Sequence, residues 1–501
     1  MAKIMTAAEA VHTFIKDGDT VAFNGFVGAV HAEEVTKTIQ EEFLSTGSPK
    51  NLTVVYAAGQ GDSKERQLNH LAEVGLCSCV IGGHWSLAPR LQKLALENKF
   101  AAYNIPQGVI SQLFREIAAK RPGLITHVGL KTFVDPRLEG GKLNEKACKR
   151  GDIVQLIEIG GKEKLFYPSF PIDVSIVRAT YADTMGNCTL QKEGVQADIL
   201  PCVQAAKTNG GHVIVQVEKV VSYGSLDTRL VNIPGIYVDA IVVAQPENHM
   251  QTNGSQFKAE FTGSMRVPMD SIPPMPMSDR KIIARRCAME LKPDSVVNLG
   301  IGMPEGVAAV AAEEGISGMC LTTESGTIGG TPASGGDFGV TINPDCVLHQ
   351  SFQFDFYDGG GLDIAFLGLA QCDEEGNINV SKFGTKIAGC GGFINITQNT
   401  PIVIFCGTFT AKGKKKFVKH VEQVTFSAEY AKESKQKVLY VTERAVFRLT
   451  DEGVELTEIA PGYDLQKDIL DLMDFVPIMK DVKAMDERIF REGLMELAKE
   501  K

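Results

Sequence analysis

Glu324 is a carboxylate in an unusual setting. It closes the strand-like run Met319-Cys-Leu-Thr-Thr323 and opens onto Ser325-Gly326-Thr-Ile-Gly329-Gly330, which holds three glycines in six residues. A glutamate of ordinary pKa, ~4.3, is ionised at neutral pH and can attack an electrophilic carbon without a general base. The same residue also fits a structural acid that closes a turn. In the first half of the chain, the run Leu52 to Tyr56 leads into Ala57-Ala58-Gly59, and on a loose alignment Ala57 stands where Glu324 does. One half would then hold a carboxylate that the other lacks.

A second chemistry-bearing stretch, Val296-Val-Asn-Leu-Gly300-Ile-Gly302-Met-Pro-Glu-Gly306, leads from a strand into a helix that Pro304 can start. Backbone N–H groups at such a helix start can face an anion, although a plain strand-to-helix turn reads the same way. The third glycine comes one residue late for a dinucleotide fingerprint, and the Gly-Lys-Ser/Thr of a phosphate loop is missing. That argues against a nucleotide-dependent oxidoreductase. His31 with Glu33 and Glu34 lacks the His-Glu-x-x-His spacing, and Cys77-Ser-Cys79 lacks the second half of a zinc pattern, so no metal is expected. His84-Trp85, His349 and Asp355 read as packing or capping residues, and Lys414 to Lys416 as a solvated loop. The eleven scattered cysteines read as buried, reduced thiols of a cytoplasmic protein.

The elements that must position these residues alternate. Asn51 to Tyr56, His212 to Val217, Tyr237 to Val243, Pro401 to Phe405 and Lys437 to Val441 are near-continuous apolar, β-branched runs. Such runs suit strands buried on both faces of a largely parallel sheet. Helical patterns lie between strands, as at Ser111 to Lys120 and Pro304 to Glu314, and the alternation implies an α/β fold. Ligands in open α/β sheets sit beyond the carboxyl ends of strands, where both glycine-rich stretches begin. Asp173 to Leu190 aligns without a gap on Asp363 to Val380, sharing Asp183 with Asp373 and Gly186-Asn187 with Gly376-Asn377, at an offset of 190. A weaker pair sets Asp19 to Gly25 on Asp294 to Gly300 at an offset of 275. Two related halves follow: residues 1–255 and 278–501, joined by a proline- and methionine-rich linker at 256–277, with Ser278 as the N-cap of the next helix.

Composition narrows the function classes. With 44% hydrophobic and 22% charged residues, the 501-residue chain is globular rather than disordered. A net charge of −10 without a long basic block speaks against nucleic-acid binding. No apolar run reaches the ~18 residues that span a bilayer, and the first residues lack a signal-peptide core, so no membrane role is expected.

Thr322-Thr-Glu324-Ser-Gly326 resembles the glutamate motif of the family I coenzyme A transferases. The resemblance runs in order through Asn298 to Gly302, Gly359-Gly-Gly-Leu-Asp363 with Asp373 to Asn377, and Gly389-Cys-Gly391-Gly392-Phe393, over nearly the whole chain. It lies nearest to the single-chain propionate and acetate enzymes. Ser325 departs from the asparagine usual in ketoacid transferases, which speaks against a ketoacid substrate. The resemblance implies two related open α/β domains with the active site between them and CoA thioesters as substrates. It also implies no permanently bound cofactor, short-chain carboxylates as partners, and a homo-oligomer, dimer or tetramer. It makes Glu324 the nucleophile and carries Gln107, in Pro106-Gln107-Gly108, over as an oxyanion donor. Gly391 and Gly392, with Gly300 and Gly302, are carried over as residues that approach CoA. A glutamine or glycine in a bare turn would look the same at these positions. Water admitted to the same glutamate would make the enzyme an acyl-CoA hydrolase instead.

Overall fold

The computed structural model describes residues 2–268 and 275–500. The chain divides into two compact units, one of Met1–Val267, Glu324–Asp355 and Thr385–Gly392, the other of Pro268–Thr323, Phe356–Gly384 and Phe393–Lys501. Part of the expected linker is therefore folded: Phe261 is buried in a cluster with Phe26 and Val340, and Val267 N–H donates to Asn343 Oδ1 at 2.9 Å. Residues 269–274 of that linker lie outside the described residues.

The first unit is built on eight parallel strands: β1 (Lys3–Met5), β2 (Thr20–Phe23), β3 (Leu52–Tyr56), β4 (Cys77–Gly82), β5 (Ala101–Asn104), β6 (Val174–Asp183), β7 (His212–Val221) and β8 (Ala240–Val243). Their order is β1-β8-β7-β6-β2-β3-β4-β5. The apolar runs are strands because both faces are covered: Val21, Val54, Val80, Ile176 and Ile214 are fully buried in one core, and the alternate residues Ala22, Val55, Val177 and Val215 are fully buried on the other face. Tyr237, expected to begin a strand, instead ends a short 3-10 turn, and β8 starts at Ala240.

The second unit repeats the plan. Its strands are β9 (Val296–Leu299), β10 (Cys320–Thr322), β11 (Ile364–Gly368), β12 (Ile402–Cys406) and β13 (Lys437–Val441), followed by β14 (Ala445–Thr450) and β15 (Gly453–Ile459). The order β10-β9-β11-β12-β13 is parallel and matches β3-β2-β6-β7-β8 of the first unit; β14 and β15 then add antiparallel. Val297, Ile364 and Ile404 fill its core.

The internal repeat has a structural cause. After β6, Gly186 turns at φ 92°, and Asp183 accepts from the N–H groups of Met185 and Asn187 and from Asn187 Nδ2. After β11, Gly376 turns at φ 95° and Asp373 accepts from Asn377 N–H and Nδ2 in the same way. Glycine reaches this left-handed conformation at no steric cost, and the aspartate closes the turn. The weaker repeat is out by one residue. Val21 pairs with Val174 as Val297 pairs with Ile364, which sets an offset of 276 rather than 275. Carried one strand further, Val54 pairs with Val21 as Leu321 pairs with Val297. Ala57 therefore does occupy the position of Glu324.

Candidate active site

Glu324 follows β10 by two residues and is half-buried. The strand that delivers it is anchored by Thr322, whose hydroxyl donates to the Val297 carbonyl at 3.2 Å and accepts from Tyr357 Oη at 2.8 Å. The loop beyond it folds back on itself. Leu348 N–H donates to Gly326 O at 2.8 Å, and Thr327–Ile328 pairs antiparallel with Cys346–Val347. Gly326 sits at φ 103°, and a Cβ there would fall 2.2 Å from Leu348 O. This glycine is required by a tight backbone crossing, which accounts for it without a ligand.

Gln107 begins the helix Gln107–Ala118 at the end of β5, directly after Pro106. It is buried, and its backbone N–H donates to Gly391 O at 2.9 Å. Gly391 N–H donates in turn to Gly83 O at 2.7 Å, and Trp85 N–H to Ala388 O at 2.7 Å. Asn104, at the end of β5, clamps the same place: its Oδ1 accepts from Cys390 N–H, and its Nδ2 donates to Gly82 O and Gly83 O. Residues 385–392 are thus pinned across the carboxyl ends of β4 and β5, the region where open α/β sheets hold their ligands. Gly391 has φ 53°, and a Cβ on it would lie 3.6 Å from Gln107 Oε1. A Cβ on Gly392 would lie 3.6 Å from Glu324 Cβ and 3.1 Å from the Phe354 ring. Four of the expected site residues, Glu324, Gln107, Gly391 and Gly392, are therefore brought together within the first unit.

The surroundings contain residues that sequence reasoning missed. Gln107 Nε2 donates to Gln350 Oε1 at 2.9 Å, Gln350 Nε2 donates to Asp198 Oδ2 at 2.7 Å, and Ser111 Oγ donates to Asp198 Oδ1. Burial pushes the Asp198 carboxyl up to about 7, against the pull of these donors. His84 lies against Gly391 with its Nε2 3.1 Å from Ser86 Oγ, and burial lowers its pKa to about 4, so the ring is neutral. Asp355 is held by both terminal nitrogens of Arg115, at 2.6 and 2.7 Å, in the structural role expected of it.

Gly300 and Gly302 belong to the second unit. Gly300 N–H extends the sheet to Phe366 O at 2.8 Å, and Gly302 turns at φ 83° with open space where a side chain would stand. Arg280 donates to the Gly302 carbonyl at 2.7 Å. A Cβ on Gly306 would lie 3.2 Å from that of Ala284, so this glycine serves helix packing.

A family model described as Coenzyme A transferase matches residues 4–244. The chain is 48% identical over 516 residues to the caffeate CoA-transferase of Acetobacterium woodii, an alignment covering 98% of both proteins. The chain belongs to the coenzyme A transferase family. It is also 40% identical over 512 residues to the acetate CoA-transferase YdiF of Escherichia coli K12, covering 98% of this chain and 96% of that one. The crystal structure of the E. coli O157:H7 acyl-CoA transferase YdiF as a thioester complex with CoA matches with a TM-score of 0.92 and 39% identity. That match covers 99% of this chain and 97% of the other. This CoA-transferase is thus an enzyme of the acyl-CoA:carboxylate type, for which CoA thioesters are substrates rather than resident cofactors.

Three other expectations meet the structure in this transferase. His31 is buried, with Nδ1 2.5 Å from Gln60 Oε1 and Nε2 2.9 Å from Thr36 Oγ1, while Glu33 pairs with His70 and Arg66. These groups satisfy one another. Lys416 is not solvated: it is buried and donates to Leu369 O at 2.8 Å, and desolvation pulls its pKa down to about 8. Two cysteines, Cys148 and Cys346, are exposed rather than buried. Among the described residues, no helix is long and apolar enough to cross a membrane.

Proposed function

We propose that this enzyme transfers CoA from a short-chain acyl-CoA to another carboxylic acid, through a glutamyl-CoA thioester on Glu324. The observation that carries this reading is the placement of Glu324 beside Gly392, with Gln107 Oε1 beside the neighbouring Gly391 and an alanine at the matching position of the other unit. The Glu324 carboxylate attacks the acyl-CoA carbonyl, and the C–S bond breaks to give a mixed anhydride and CoA thiolate. The thiolate attacks the glutamyl carbonyl and expels the first acid as its carboxylate, leaving CoA on Glu324. The incoming acid runs the same steps in reverse. Each attack passes through a tetrahedral oxyanion, for which the Gln107 amide and the backbone N–H of Gly392 are the donors. A preorganised donor of this kind is worth roughly 3–4 kcal/mol. Gly391, Gly392, Gly300 and Gly302 are the positions at which backbone lies close to CoA.

The relatives named for acetate and for caffeate take acids of very different size, so the acceptor is to be found by rates over a panel from acetate and propionate to aromatic acids. A cytoplasmic homo-oligomer fits the family. The kinetic test is direct. The first product leaves before the acceptor binds, so double-reciprocal plots at several acceptor concentrations should be parallel. Intersecting lines would sink the covalent mechanism.

A further inference from the structure

Asp198 occupies the N-cap of the helix Ile199–Thr208, where an aspartate ordinarily accepts hydrogen bonds from the first turn. Here it does not: its side chain makes no capping hydrogen bond. Both oxygens are turned instead toward Ser111 Oγ and Gln350 Nε2. Gln350 passes the contact on, accepting at Oε1 from Gln107 Nε2. All four side chains are buried, at 0–3% exposure. A buried carboxylate that gives up a cap worth ~1 kcal/mol, and that accepts from a hydroxyl and an amide rather than from a cation among the described residues, is costly for stability.

The chain of contacts has a direction. Gln350 presents nitrogen to the carboxylate, so its oxygen faces Gln107. Gln107 must then present its own NH₂ to Gln350, which uses one of two hydrogens and sets the plane in which the other points. An amide left alone could flip by 180° and exchange the places of its oxygen and nitrogen.

We propose that Asp198 and Gln350 are positioning residues, a buried relay that fixes the orientation of the Gln107 carboxamide beside the glycines of the reacting site. The inference rests on the reading of Glu324 and Gln107 given above. The relay needs an acceptor at position 198 more than it needs a charge. Asparagine there can still accept from Gln350 through Oδ1 while its Nδ2 donates to Ser111 Oγ.

The test compares D198A, D198N, Q350M and the D198A/Q350M double variant in steady-state transfer, each checked for its thermal midpoint. D198A and Q350M should each lose about ten- to a hundred-fold in kcat, less than or near the cost of deleting an oxyanion donor. The KM for the acid should stay within about threefold. D198N should restore kcat to within about threefold of wild type. The double variant should be no slower than Q350M, because residues acting in series do not add. Wild-type kcat in D198A or Q350M, losses that multiply in the double variant, or a D198N as slow as D198A would each overturn the relay. If D198A does not fold, Q350M and D198N carry the test. Wild-type protein incubated with acetyl-CoA alone separates the two levels: without CoA on Glu324 the underlying mechanism fails, and with it only the relay is at stake.

Discussion

Replacing Asp198 by asparagine should make the protein more stable at pH 8 and leave it little changed at pH 4. In the folded chain the carboxyl titrates at about 7 because burial disfavours its charge. In the unfolded chain it titrates near ~3.9. Between those values the folded state holds a proton that the unfolded state has released. The contribution of this group to stability therefore falls as pH rises from ~4 and levels off above ~7. A difference of about three pKa units at ~1.4 kcal/mol each puts the loss at about 4 kcal/mol as a ceiling. The charge of Arg115 pulls the other way but does not offset it, since that guanidinium is already held by Asp355. Asparagine carries no charge to desolvate and keeps acceptors and donors for Gln350 and Ser111, so D198N should recover most of that loss at pH 8. Chemical denaturation of wild type and D198N at pH 4, 5, 6, 7 and 8 checks it. The two curves should coincide near pH 4 and separate steadily up to about pH 7, with the variant more stable and the gap then constant to pH 8. A variant less stable than wild type at pH 8, or a constant gap at all pH values, would refute the reasoning.

Two further outcomes are expected. Gln107→Ala should lower kcat by roughly 10²-fold with little change in the thermal midpoint, read by paired kinetics and calorimetry; near wild-type turnover would reduce Gln107 to a turn residue. Gly391→Ala should cost about 1–2 kcal/mol of stability, because φ 53° is a left-handed conformation that a Cβ disfavours. It should also slow transfer, because the new methyl lies 3.6 Å from Gln107 Oε1. A thermal midpoint equal to wild type would contradict the backbone argument.

What could be read from the amino-acid order was whatever local chemistry determines. The Asp-x-x-Gly-Asn turn after β6 and after β11 is set by residues within five positions, so the repeat was visible. Ala57 and Glu324 end matching strands, and the register bears that out. The other repeat slipped by one residue because its short apolar strands have no comparable punctuation to fix an alignment. Lys416 was misread because a lysine triplet looks solvated, and nothing local shows that its ammonium turns inward to Leu369 O. The Asp198–Gln350–Gln107 chain was invisible for a similar reason. Its members are 152 and 243 positions apart, and Asp198 before a helix reads as an ordinary cap. Gly326 misled in the other direction, since a backbone crossing explains it as well as a ligand does.

The account depends most on Glu324 as the residue that carries CoA. Protein incubated with acyl-CoA and no acceptor acid should accumulate CoA in thioester linkage, and borohydride should then inactivate it by reducing that thioester. Mass mapping of the peptides should place the adduct on Glu324, and Glu324→Ala should form no adduct and transfer no CoA. An adduct on any other residue, or ordinary transfer by Glu324→Ala, would contradict the mechanism.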